Sequence, residues 1–148
     1  MANKIEHENF LEIVHAIRTR FPNLQTELKT ENLRVIDAEL TMPTQNGLSF
    51  PISIYLQNDE LHLHAGNFWC EWFPSHKQEV CDKFVDIVCG LLSGSYRVVE
   101  YLRFGSVLKT QIQKPDGSNW ELVAWSSRPH IPISWGMRTK IIQNINSV

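Results

Sequence analysis

The chain has 148 residues, with 14 Lys and Arg against 16 Asp and Glu, and a formal charge of −2. Hydrophobic residues at 43% and charged residues at 20% describe one globular domain, residues 1–148, able to bury its own core; they exclude a disordered chain or one that needs disulfides to fold. The near-neutral balance, without any Lys/Arg run, argues against a nucleic-acid partner held through a basic face.

Cys70, Cys81 and Cys89 are odd in number and lack CxxC spacing, which predicts a reducing compartment. The opening MANKIEHENF has no basic segment leading into an apolar one, and no apolar run approaches the ~20 residues of a membrane span. A cytoplasmic protein without a membrane partner is expected.

Ile5 to Phe21 reads as a first helix, because Phe10, Ile13, Val14, Ile17 and Phe21 fall on one stripe. Pro22 stops it. Asn23 to Asn32 reads as a polar connection. Strands are expected at Leu33 to Leu40 and, after the Asn46-Gly47 turn, at Ser49 to Gln57. The turn Gln57-Asn58-Asp59-Glu60 leads into a strand at Leu61 to Ala65. Gly66-Asn67 breaks or bulges that strand, and Phe68 to Phe73 continues the sheet.

A second helix is predicted from Ser75 to Leu92. Val80, Phe84, Ile87, Val88 and Leu91 line its apolar side, Glu79, Asp82, Lys83 and Asp86 its polar side, and Gly94 ends it. Strands follow at Tyr96 to Arg103, Ser106 to Gln113 and Asn119 to Ser127, with a turn at Lys114-Pro115-Asp116-Gly117. Met137, Ile141, Ile142 and Ile145 suggest a short closing helix after the proline-rich RPHIPISWG. The expected fold is α+β: one antiparallel sheet of about six strands with helices on one face, in the order α-βββ(β)-α-βββ.

His62 and His64, two apart on a strand, project to one side, which is how a strand offers two metal ligands; Cys70 or Glu71 is the available third. A metal-dependent enzyme using His62 and His64 is therefore one alternative, although no second His/Cys pair stands at ligand spacing. A half-exposed sheet face accounts for the pair more simply. Cys70 or Cys81 beside His62, His64, His76 or His130 would make a nucleophile pair, yet Cys81 and Cys89 belong to the apolar helix side as small core residues. With no phosphate loop, GxSxG, HExxH or EF-hand pattern, neither catalytic residue, metal nor cofactor is assigned. Glu79, Asp82 and Asp86 are either a solvated helix face or an acidic patch that meets a basic partner. Phe68, Trp69, Trp72 and Phe73 alternate so that both strand faces carry aromatics; they are core filling or interface anchors, to which Trp125 and Trp135 can add.

The unit LHLHAGNFWCEWF followed by the helix, GSYRVVEYLRFG and SVLKTQIQ resembles small α+β bacterial immunity proteins of intercellular toxin systems. The resemblance covers Leu61 to Gln113. It implies a non-enzymatic protein that binds one cognate toxin domain and occludes its active site, and it carries over no catalytic residue. The element order also resembles type III secretion chaperones, which dimerise and wrap an effector segment; the third strand after the central helix and the aromatic centre depart from that pattern. The expected contact positions are His62, His64, Glu71 and Trp72 on the strands and Glu79, Asp82 and Asp86 on the helix.

Overall fold

The computed structural model describes residues 1–31, 34–127 and 136–145. Helix α1, Lys4–Arg20, opens on a capping box in which the Asn3 side chain accepts from the Ile5 and Glu6 amides while Glu6 returns to the Asn3 amide. Its stripe of Phe10, Ile13, Val14 and Ile17 is buried. Five strands follow: β1 Glu27–Lys29, β2 Ala38–Met42, β3 Ile52–Gln57, β4 Glu60–Ala65 and β5 Phe68–Trp72. They pair antiparallel in chain order. Helix α2, Gln78–Ser93, comes next, and then β6 Arg97–Arg103, β7 Ser106–Asp116, β8 Asn119–Ser127 and β9 Arg138–Ile142. These four form a second antiparallel sheet in the order β8-β7-β6-β9.

The α+β class and the antiparallel pairing agree with the sequence reading; the single sheet does not. There are two sheets, of five and four strands. β8 lies beside β5 without a ladder between them, and β9 pairs with β6 at the opposite edge of the second sheet. The expected closing helix from Met137 to Ile145 is instead β9. A segment so short is marginal as a helix, whereas the free edge of β6 offers it a backbone ladder and Thr139, Ile141 and Ile142 are β-branched.

Smaller corrections have equally local causes. β1 sits inside the expected connection, too short to leave a periodic trace. β2 begins at Ala38 rather than Leu33, which lies outside the described residues. Just before β2, Asp37 turns aside and its carboxylate accepts from the Asn58 amide at 2.8 Å. β3 begins at Ile52, not Ser49. β7 runs through Pro115 to Asp116, and the turn is Gly117-Ser118. Past Gln113 the strand has no β6 neighbour, so the missing proline N–H lies where β7 is paired on one side only. Gly66-Asn67 is a true two-residue turn, with Gly66 at φ 60°.

The core joins both helices to the inner face of the first sheet. Leu40, Ile54 and Leu63 come from its centre, Phe84, Ile87 and Leu91 from α2, and Val98 and Ile112 from the second sheet. Among the described residues no helix is long and apolar enough to cross a membrane.

Two polar ties hold the layers in register. Glu100, buried on β6, accepts from the Asn67 side chain at 2.9 Å and so fixes the β4–β5 turn. Asn144, buried just past β9, accepts from the Ser49 amide at 2.9 Å and donates to the Leu91 carbonyl at 3.0 Å. Replacing Asn144 by Ala strands the buried Leu91 carbonyl and removes the acceptor of the Ser49 amide, and is expected to lower unfolding free energy by about 1–3 kcal/mol, read as a shift in denaturant midpoint at unchanged slope.

Gly90 admits the Tyr96 ring: a Cβ there would lie 2.5 Å from two ring carbons. The ring cannot easily retreat, since the Tyr96 amide donates to the Gly90 carbonyl at 2.8 Å and its hydroxyl to Asp86 at 2.7 Å. Gly90→Ala, which helix propensity alone would favour, is expected instead to destabilise by about 1–2 kcal/mol through overpacking, as thermal denaturation would show.

Candidate functional site

The two hairpin turns of the first sheet set its outer face. Asn58-Asp59 places Tyr55 opposite His62 and Ser53 opposite His64. Gly66-Asn67 places His64 opposite Trp69 and His62 opposite Glu71. The side chains of Tyr55, His62, His64, Trp69 and Glu71 therefore share the face turned away from the core.

They are assembled rather than loose. The Tyr55 and His62 rings stack at 4.4 Å and 5°, and Trp69 lies 5.8 Å from His62 on its other flank. Trp69 Nε1 donates to the Tyr55 hydroxyl at 3.2 Å, and that hydroxyl lies 3.4 Å from His64 Nε2. His62 is only 4% exposed. Its Nε2 is 3.2 Å from a Glu60 carboxylate oxygen, and its Nδ1 is buried with no hydrogen-bonding protein atom. Trp69 remains 39% exposed. Glu39, paired with Tyr55 across β2 and β3, joins Glu60 and Glu71 in giving the cluster an acidic border.

Burial lowers the His64 pKa, the neighbouring His62 lowers it further, and Glu39 opposes both. A folded-state pKa below the ordinary 6.5 means the folded chain favours neutral imidazole. The stability this contributes is present above pH 6.5 and is lost as pH falls through the lower folded value. Acid titration of unfolding should show this loss, and His64→Gln should reduce it.

Trp72 belongs to the opposite face. It meets Phe84 of α2 edge-on at 5.4 Å and packs against the core. Glu79, Asp82 and Asp86 are exposed on α2. Asp82 accepts from Gln78 at 2.8 Å and Asp86 from Tyr96 at 2.7 Å; burial, reinforced by Asp86, pushes the Tyr96 hydroxyl up to about 12. Asp82, Asp86 and Glu12 of α1 border a groove of about 450 Å³ between the helices, with Arg20, Ile13 and Val85 among its lining. Since α2 packs on the inner face of the sheet, this acidic side and the histidine face lie on opposite sides of the molecule. The structure brings His62, His64 and Glu71 together and leaves Trp72, Glu79, Asp82 and Asp86 apart from them.

Cys70 pairs with Leu63 on the inner side of the sheet, away from both histidines, and among the described residues no group of three or more His, Cys, Asp or Glu is placed to hold a metal. Burial raises the pKa of all three thiols, which disfavours the thiolate. His130 and Trp135 lie outside the described residues. Tyr55, Trp69, Glu39 and Glu60 complete the outer face; the strand register that selects them follows from two turns visible in the sequence.

Comparison of the chain with protein-family models, with curated proteins and with solved structures gave no match.

Proposed function

We propose that the protein is a non-enzymatic binding module that neutralises a cognate toxin domain by covering its active site, as an immunity protein does. The observation that carries this reading is the Tyr55–His62–Trp69 stack: aromatic rings packed face to face and tied by the Trp69–Tyr55 hydrogen bond on an outer sheet face, with one indole left open. Preformed aromatic anchors lose little conformational freedom on binding and are typical of interface hot spots. The border of Glu39, Glu60 and Glu71 suits a partner with a basic surface and would speed its approach. The exposed Glu79, Asp82 and Asp86 lie on the opposite, helical side and stand apart from this contact.

The test is a pull-down of the product of the adjacent reading frame, followed by titration. A toxin domain is expected to bind, its activity to fall in proportion to occupancy, and Trp69→Ala to weaken binding about tenfold or more. Glu71→Lys should slow association, most clearly at low salt. An adjacent product without a toxin domain, or undiminished binding by Trp69→Ala, would remove the reading.

A further inference from the structure

The second sheet also has an outer face, and its chemistry is the reverse of the first. Val98 and Ile112 turn inward to the core, so the alternate positions of β6 and β7 face out. Arg97 leads them. Its guanidinium lies 3.9 Å from the Trp120 ring centre and donates through Nε and Nη2 to Gln113 Oε1, at 3.0 and 2.9 Å. Gln113 donates in turn to Gln111 Oε1, which also accepts from the Tyr101 hydroxyl, both at 3.0 Å. Lys109 completes the row, 5.6 Å from the Tyr101 ring and 6.0 Å from that of Trp125.

The strand positions on this face include no Asp or Glu. Glu100, Glu121 and Asp116 all fall on the inward register, opposite Thr110, Lys114 and Asn119. In a chain of net charge −2, the cations here are therefore not offset locally. Trp125 is 56% exposed, with Leu122 at 48% and Ile141 at 51%. Exposed aliphatic side chains among the aromatics favour a protein occupant; single-stranded nucleic acid is gripped by stacking rings and backbone-tracking cations.

We propose that the outer face of the second sheet is a separate docking surface for an acidic protein segment bearing apolar side chains. Its carboxylates meet Arg97 and Lys109, and its apolar groups cover Trp125, Leu122 and Ile141. Arg97, fixed in advance by Gln113 and the Trp120 ring, and the exposed Trp125 are the anchors. The surface is independent of the histidine face and does not require the toxin-binding reading.

The test is selection of a random displayed peptide library on the immobilised full-length protein, then titration of the enriched peptides against Lys109→Glu and Trp125→Ala. Both positions project outward, and circular dichroism with thermal melting verifies that each variant is folded. Enriched sequences are expected to combine Asp or Glu with apolar residues, to bind less tightly as salt rises, and to lose about tenfold or more in affinity against each variant. Trp69→Ala should bind them unchanged. The proposal is overturned if no acidic sequence is enriched, if enriched peptides bind the variants as well as the parent, or if oligothymidine binds this face in a Trp125-dependent way while acidic peptides do not.

Discussion

Asn144 fastens the two sheets and α2 to one another. Its amide reaches the Ser49 backbone ahead of β3 and the Leu91 carbonyl in the last turn of α2. Beside it, Gln143 donates to the Gly94 carbonyl at 2.6 Å. Gly94, in the left-handed conformation at φ 73°, has no room for a side chain, since a Cβ would fall 2.0 Å from the Asn144 carbonyl oxygen. The helix end, the loop and the chain after β9 thus converge on one buried amide. β9 is held there, β9 pairs with β6, and through β6 the second sheet is set against the β4–β5 turn, where Glu100 grips Asn67.

That arrangement decides what is outside. Because both helices cover the inner face of the first sheet, its outer face is left to Tyr55, His62, His64 and Trp69. The second sheet, with its own outer face, gathers Arg97 and Lys109 where no carboxylate competes. Charge is therefore unevenly spread, with Glu39, Glu60 and Glu71 flanking the histidine stack and Glu79, Asp82 and Asp86 on the exposed side of α2. A net charge of −2 conceals this separation, which is why composition alone pointed away from any cationic surface.

Much of the fold was legible from periodicity. The stripes of α1 and α2 and the alternation in β3 and β4 appear where the residues put them, because each element buries a single face. Sequence reasoning failed where the deciding partner was distant. Met137, Ile141, Ile142 and Ile145 have a helix-like spacing, and only the vacant edge of β6 makes them a strand. The turn expected at Lys114-Pro115-Asp116-Gly117 falls two residues later, at Gly117-Ser118, because β7 stays paired with β8 past the end of its β6 ladder. At the candidate site, His62 and His64 were visible as residues of like parity on one strand, but Tyr55, Trp69 and Glu71 join them only through the pairing register. That register was recoverable from Asn58-Asp59 and Gly66-Asn67, once the second is read as a tight turn rather than a bulge. The same step places Trp72 on the inner face.

β9 also gives the molecule a border. As the last strand of its sheet it presents backbone donors and acceptors along one side, a template onto which another extended chain can add. Its residues Arg138-Thr139-Lys140 put two cations along that margin, and β1, the outermost strand of the first sheet, has only three residues and carries Glu27 and Lys29. An antiparallel match of two copies centred on β9 would set Lys140 against Lys140, a repulsion that discourages ribbon-like association. The margins at β1 and β9 are thus poor templates for self-assembly, and the outer faces can carry exposed indoles while these two edges resist polymerisation.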